Sequence, residues 1–469
     1  MSDTRAQSSA AGYLTATGSF TAGLLVVLDI ICVLVAFNFW HWVITDEVGV
    51  NFFLTWKLFL IASFAFLYFY LMDLYTFDSP LSQLGMLERS FIAILLTGIT
   101  TAVAVYLIGP NFIGGFVGRG VMLTSLISTW LLALMVRYAL NIWINKQRQQ
   151  VTWLVLRDGD ISAFEQHFRS YYPVEQLLIL DKTPTDVFTS SENTELAGNW
   201  DQLEQIIGTR VLSGVILTSE SLTSDLVDRL MGIRISGMRI FKLSDFYEQY
   251  LSRLPVLSLD PNWIALTQGF ELIHNPIGLR FKRYMDIMVA LIVGLLLLPV
   301  IVTTALVVLL TSGKPIFYSQ LRTGENGHPF TVYKFRTMNP DAEVAGAQFA
   351  TENDPRMTPV GKWLRKYRLD ELPQLWNVLI GNMSFIGPRP ERPEFIEDLQ
   401  QRVPYYNLRH MIKPGITGWA QVMYGYGDSA DDALEKLQYD LFYIKNYSII
   451  LDISIMLRSL KVILFGTGR

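Results

Sequence analysis

Two adjacent carboxylates, Asp370 and Glu371, lie in Leu364-Arg365-Lys366-Tyr367-Arg368-Leu369-Asp370-Glu371-Leu372-Pro373-Gln374, between an arginine-rich approach and an apolar run. Proline has no N–H to give and is tolerated only in a helix's first turn, so Pro373 predicts a helix beginning here. Asp370 then falls at or near the N-cap, where unpaired N–H groups and the positive dipole end favour anions. Arg365 and Arg368 bring further positive charge to the same spot. Such a place could handle phosphate. An ordinary capped surface helix shares these local features.

Two other stretches suit the same chemistry. In Phe330-Thr331-Val332-Tyr333-Lys334-Phe335-Arg336, side-chain alternation along a strand puts Val332, Lys334 and Arg336 on one face. A basic pair there can grip a phosphate chain, arginine bidentately and lysine as a point charge. In Gly387-Pro388-Arg389-Pro390, the flanking prolines hold Arg389 with little entropy left to lose. Pro414-Gly415-Ile416-Thr417-Gly418-Trp419 is a second glycine-punctuated loop. The five histidines show no ligand spacing, and a single cysteine, Cys32, excludes an intramolecular disulfide or a cysteine-based zinc site. Oxygen ligands for a hard cation are available, and a phosphate-bearing substrate would supply the rest.

Positioning these groups falls to a membrane protein of several domains. Of 469 residues, 51% are hydrophobic and 17% charged, below the roughly 25% charge of an average soluble protein. A net charge of −4 gives no whole-chain argument for nucleic acid as a partner. Residues 1–18 form a polar tail without the features of a signal peptide. Four apolar stretches follow, about 20–44, 52–72, 91–108 and 121–144, against the roughly 20 residues that a crossing takes. They predict a four-span bundle over 19–145, with the third span short and rich in Thr and Gly. Asp46 and Glu47 follow the first span, whereas Arg137, Lys146 and Arg148 mark the end of the fourth. The positive-inside rule then puts that end in the cytoplasm.

Over 150–265, apolar runs at 153–156, 177–180, 214–217 and 238–241 alternate with amphipathic stretches at 160–169 and 221–235. This predicts a small parallel sheet with helices on its faces. Its first turn, Leu156-Arg157-Asp158-Gly159-Asp160, has one glycine and two acids where the phosphates of a dinucleotide would sit. A degenerate Rossmann-like cytoplasmic domain is expected, structural or oligomer-forming, with nucleotide sensing as an open alternative. A fifth apolar run, 285–310, has Arg280, Lys282 and Arg283 before it and Lys314 and Arg322 after. Basic flanks on both sides favour both ends on the cytoplasmic face. Pro299 at its centre breaks the helix. A re-entrant helix over about 284–311 satisfies both facts, and a plain kinked transmembrane helix is the alternative. Residues 441–465 read as an amphipathic segment lying on the membrane surface.

Four motifs in order resemble the signature of the monotopic phosphoglycosyl transferases. They are Lys334-Phe335-Arg336-Thr337-Met338, Leu369-Asp370-Glu371-Leu372-Pro373-Gln374, Gly387-Pro388-Arg389-Pro390 and Pro414-Gly415-Ile416-Thr417-Gly418-Trp419. These bacterial sugar transferases begin exopolysaccharide and O-antigen assembly on a polyprenyl carrier. The likeness covers 279–469, and the chain looks like the family's long form. That form has four spans, a degenerate Rossmann-like domain and a mixed α/β, mostly helical catalytic domain with a re-entrant helix. The resemblance implies transfer of sugar-1-phosphate from a UDP-sugar to undecaprenyl phosphate, with release of UMP, at the cytoplasmic face of the bacterial inner membrane. It also implies a homodimer.

Residue by residue, the resemblance implies Asp370 as the catalytic nucleophile and as a metal ligand for Mg²⁺, with Glu371 its essential neighbour. Arg365 and Arg389 match phosphate-binding positions, Lys334 and Arg336 could join them, and the re-entrant break maps to Pro299. A carboxylate is a sound nucleophile here because it is expected to stay ionised at pH 7, helped by the helix N-terminus and the nearby arginines. Glu371 would lie about 100° around the helix from Asp370, which suits a positioning or metal-orienting role better than a shared proton. Most relatives carry Ser or Thr at the position of Arg368, which leaves substrate preference or a local salt bridge as its role. A non-catalytic membrane scaffold or regulator of polysaccharide assembly is the rival function, and the intact Asp370-Glu371 pair speaks against it. No residue identifies the sugar.

Overall fold

The computed structural model describes residues 17–45, 56–72, 74–75, 83–108, 119–148, 151–182, 193–219, 222–259, 267–270, 275–339, 342, 354–425 and 430–465. They form two compact units, Met1–Leu243 and Ser244–Arg469.

The first unit opens with four apolar helices, α1 (Thr17–Thr45), α2 (Trp56–Leu71), α3 (Gln83–Ile108) and α4 (Arg119–Arg148). Leu25, Phe37, Leu58, Phe69 and Ala133 are buried between them, while Val35, Phe39, Ile99 and Leu131 face outward. Three stretches, Gly23–Ile44, Met86–Tyr106 and Gly120–Leu140, are long and apolar enough to cross a membrane. The helix α2 is apolar but has only 16 residues, and 52–55, where its span was expected to begin, lie outside the described residues. The helix α3 starts at Gln83 rather than near 91. Its threonines are no obstacle, because Thr97, Thr100 and Thr101 return their hydroxyls to carbonyls one turn back at 2.7–2.8 Å.

Arg137 corrects the charge argument. It is buried inside α4, with both terminal nitrogens 2.7 Å from Asp29 of α1 and its guanidinium 4.6 Å from the Phe69 ring centre. Burial without a partner would be prohibitive, so the pair belongs to the bundle core and not to a loop. Asp46 and Glu47 lie outside the described residues.

Five strands follow, β1 (Thr152–Arg157), β2 (Gln176–Asp181), β3 (Thr194–Asn199), β4 (Gly214–Leu217) and β5 (Ile240–Lys242). All pair in parallel in the order β3-β2-β1-β4-β5. Helices α5 (Ser162–Tyr171), α6 (Leu203–Thr209) and α7 (Ser224–Ile235) connect them. The central strands are near-continuous apolar runs because both faces are covered. The edge strand β3, Thr-Glu-Leu-Ala-Gly-Asn, has no such run and escapes pattern reading. In the turn after β1, the Asp158 carboxylate accepts from Lys182 and Ser219, and that of Asp160 accepts from the Ser162 N–H.

In the second unit, Asn275 caps α8 (Pro276–Leu296) by accepting from the N–H groups of Ile277 and Gly278. The chain breaks at Leu297, and α9 (Leu298–Ser312) leaves at 64°. Pro299 sits in the first turn of α9, where it withholds an N–H and ends the continuous helix. Leu295, Leu296 and Leu310 on the two arms are 77%, 74% and 83% exposed. A hairpin of β6 (Phe317–Thr323) and β7 (Pro329–Phe335) follows. Next come α10 (Pro359–Lys366), α11 (Gln374–Ile380), β8 (Ser384–Ile386), α12 (Pro393–Arg402) and β9 (Gly415–Thr417), the last parallel to β8. The unit closes with α13 (Trp419–Met423), α14 (Ala430–Lys445) and α15 (Ile449–Phe465). Residues 441–465 are therefore not one surface segment. Leu441, Tyr443 and Ile444 are core residues at the end of α14, and only α15 turns Ile449, Ile450 and Ile453 outward.

Candidate active site

The two carboxylates are placed by a chain reversal. Thr358 caps α10 by accepting from the Gly361 N–H at 2.9 Å, and Gly361 itself lies against the Thr337 carbonyl, where a Cβ would come within 2.0 Å. The helix ends at Lys366, and two residues on Arg368 adopts a left-handed conformation with φ of 54°. Leu369–Glu371 then form a 3-10 turn, and the regular helix α11 begins only after Pro373. Asp370 is thus in the tight turn leading into the helix rather than at its cap. Asn377 of α11 pins this segment to β7, accepting from the Tyr333 N–H at 3.2 Å and donating to the Thr331 carbonyl at 2.7 Å.

Glu371 is the electrostatic hub. Lys334 and Arg389 each reach its carboxylate at 2.8 Å, and Arg368 reaches it at 3.5 Å. Arg365 donates to the Thr337 hydroxyl at 2.9 Å and adds its charge to the field at Asp370. The expected partners Asp370, Glu371, Lys334, Arg365 and Arg389 are therefore brought together. Arg336 is not among them. It follows the last residue of β7 and donates to the carbonyls of Ser312 and Gly313, at the C-terminal end of α9. Pro299 also serves away from the carboxylates, at the helix break.

The paired acids differ in ionisation. Burial alone would raise Glu371, but Arg389, Lys334 and Arg368 outweigh it and hold the carboxyl well below the usual range. Asp370 is also buried, and desolvation together with the Glu371 charge raises it despite Lys334, Arg365 and Arg389. Helix end and arginines were expected to keep Asp370 ionised; in the structure Arg389, Lys334 and Arg368 act first on Glu371, and Arg365 does not offset the burial of Asp370. Burial lowers Lys334, with Glu371 opposing. Among the described residues the Asp370 carboxylate makes no hydrogen bond or ion pair, so its oxygens are open to a ligand.

Among the described residues no three of His, Cys, Asp and Glu gather as a metal cage. A Mg²⁺ ion does not need one, since one or two carboxylates plus substrate phosphates are its usual set. The open oxygens of Asp370 fit that role; those of Glu371 are taken by three cations.

Interlocked loops hold Arg389. The Gly387 N–H donates to the Thr417 carbonyl and the Gly415 N–H to the Pro388 carbonyl, both at 2.9 Å. A Cβ on Gly415 would lie 2.1 Å from the Gly387 nitrogen, and one on Gly418 would lie 2.2 Å from the Gly387 oxygen. Beneath them, buried Arg409 donates to the Arg389 carbonyl at 3.1 Å and to Asp440 at 2.8 Å. Arg283 of α8 donates to the Val378 and Leu379 carbonyls, and Asp286 accepts from Ser384 and Phe385. These supports escape sequence reading because each joins positions far apart in the chain. The only signal was the basic flank of the fifth apolar run, which contains Arg283. Beside the carboxylates lies a cavity of about 120 Å³ with almost wholly apolar walls, reached by Arg368 and Glu371.

A family model described as bacterial sugar transferase matches residues 277–466. The chain is 40% identical over 234 residues to the UDP-N-acetylgalactosamine-undecaprenyl-phosphate N-acetylgalactosaminephosphotransferase of Aeromonas hydrophila, covering 50% of this chain and 54% of that one. It is 45% identical over 199 residues to the UDP-glucose:undecaprenyl-phosphate glucose-1-phosphate transferase of Escherichia coli (strain K12), 42% of either chain. An uncharacterized sugar transferase, EpsL, of Bacillus subtilis (strain 168) is 37% identical over 187 residues, which are 40% of this chain and 89% of that one. The chain thus spans about half the length of the first two relatives.

Proposed function

Because the chain belongs to the bacterial sugar transferase family, we propose that it transfers sugar-1-phosphate from a UDP-sugar to undecaprenyl phosphate. The products are UMP and undecaprenyl diphosphate sugar. Both relatives named for their reactions carry this acceptor in their names. The observation that carries the mechanism is the division of labour between Asp370 and Glu371. Glu371 assembles three cations, leaving a buried Asp370 carboxylate with open oxygens at the centre of a positive field.

An Asp370 oxygen attacks the β-phosphorus of the UDP-sugar, and the bond to the bridging oxygen breaks, expelling UMP. The sugar-1-phosphate remains as an acyl phosphate on Asp370. An oxygen of undecaprenyl phosphate then attacks the same phosphorus, and the Asp370 carboxylate leaves. Phosphoryl transfer asks mainly for positioning and charge neutralisation. Lys334 and Arg389, held by Glu371, would face the diphosphate oxygens, with Arg365 behind Asp370. Asp370 would hold a Mg²⁺ ion, which would supply charge neutralisation for the leaving UMP. Arg336, by its contacts, anchors the end of α9.

The same proposal gives the broken helix a purpose. One substrate is dissolved in the cytosol, whereas the other carries its phosphate at headgroup level. Arms α8 and α9, with their exposed leucines and 64° bend, would enter one leaflet and return. The four-helix segment would span the bacterial inner membrane, the catalytic unit would face the cytoplasm, and the first unit would serve homodimer formation.

The test is UMP release from a panel of UDP-sugars with undecaprenyl phosphate. The wild-type chain should release UMP with at least one sugar. An Asp370→Asn variant should bind the nucleotide sugar and release none, a loss of about 10³-fold or more. Full turnover by that variant would sink the mechanism.

A further inference from the structure

The apolar cavity beside the carboxylates has no task in the donor half of this reaction. Val293 of α8, Leu297 at the break, Leu372, Leu375, Phe385 and Ile416 form its walls. Among the described residues, only Arg368 and Glu371 bring charge to it. Lys334 and Arg389 hold Glu371 at 2.8 Å, while Arg368 stands off at 3.5 Å and is the loosest of the three. Arg368 also occupies a left-handed backbone position that a long side chain adopts at a cost and that glycine or asparagine would fill more easily. Around it, four basic side chains, Lys334, Arg365, Arg368 and Arg389, gather about two carboxylates, so positive charge is in surplus. An anion fits the charged rim and an apolar chain fits the walls.

We propose that Arg368 is the phosphate anchor for the lipid acceptor, and that the cavity holds the first prenyl units of its chain. This rests on the transferase reading above and assigns its second substrate a place. Leu297 is both a cavity wall and the residue at which α8 and α9 part, so a chain seated there can continue along the exposed leucines of the two arms into hydrocarbon. A phosphate monoester on a single chain, with up to two negative charges, matches the surplus better than the singly charged diester of a two-chain phospholipid.

The test measures binding of farnesyl phosphate to the full chain in nanodiscs, with farnesol, inorganic phosphate and phosphatidylglycerol as competitors. Thermal unfolding checks that each variant is folded. Arg368→Gln should weaken farnesyl phosphate binding by about tenfold or more, with UDP-sugar affinity moving less than about threefold. Arg368→Lys should recover part of the loss, and Val293→Trp, which fills the cavity, should weaken the same ligand. All three competitors should displace it poorly. Unchanged binding in Arg368→Gln or Val293→Trp would overturn the proposal. So would equal competition by inorganic phosphate or phosphatidylglycerol, or a larger effect of Arg368→Gln on UDP-sugar. UMP release by the wild-type chain is scored in parallel. Release with unaltered farnesyl phosphate binding sinks only this proposal, whereas no release from any UDP-sugar sinks the transferase reading itself.

Discussion

At the scale of residues, the neighbouring acids Asp370 and Glu371 have opposite electrostatic fates. Glu371 binds three basic side chains and is held ionised; Asp370 receives the leftover field, and burial raises it. The motif was legible as a pair of acids near arginines, but which acid would take the cations depends on where Lys334 and Arg389 come from in space. A titration elsewhere in the unit gives a clean test of the buried charges. Burial and the charge of Arg409 push His410 from an ordinary 6.5 down to about 4. The unfolded chain therefore takes up this proton first, and the folded state is disfavoured as pH falls from 6.5 to about 4. The contribution is fully present above pH 6.5, and its loss reaches about 3 kcal/mol at the acid end. Thermal unfolding of the full chain across that range should show His410→Gln with a shallower acid loss than wild type. Equal slopes would remove the buried histidine from the account.

At the scale of elements, the site depends on turns rather than on long helices. The glycines of the two loops could be read as rigid punctuation, and their contacts give the reason: Gly387, Gly415 and Gly418 stack backbone on backbone with no room for a methyl group. Gly418→Ala should destabilise the second unit by about 3 kcal/mol, whereas Gly425→Ala, which meets open space, should stay within about 0.5 kcal/mol. Equal unfolding midpoints for the two would contradict the interlock. Pro299 and the basic flanks foretold the break in the fifth apolar run, because proline chemistry is local. Arg409 with Asp440, 31 positions apart, and Arg137 with Asp29 were not foretold, because no local pattern marks a partner across the fold. Arg336 shows the limit of strand alternation. It lies one residue past the strand, where alternation no longer says which way a side chain turns.

For the whole molecule, the claim is that a membrane-embedded chain holds a cytosolic nucleotide sugar and a lipid phosphate at one carboxylate. That requires both ends of the α8–α9 pair on the same side. In a Cys32→Ser background, Arg280→Cys and Lys314→Cys should both react with a membrane-impermeant maleimide from the cytoplasmic side only; labelling from opposite sides would make the pair a span. The central claim itself is covalent. The chain is mixed with a UDP-sugar in the absence of lipid acceptor, quenched rapidly and digested for mass spectrometry. The account predicts a sugar-phosphate on the peptide bearing Asp370, formed as UMP appears and absent from Asp370→Asn. An unmodified Asp370 at every quench time, with UMP released only once undecaprenyl phosphate is added, would contradict it.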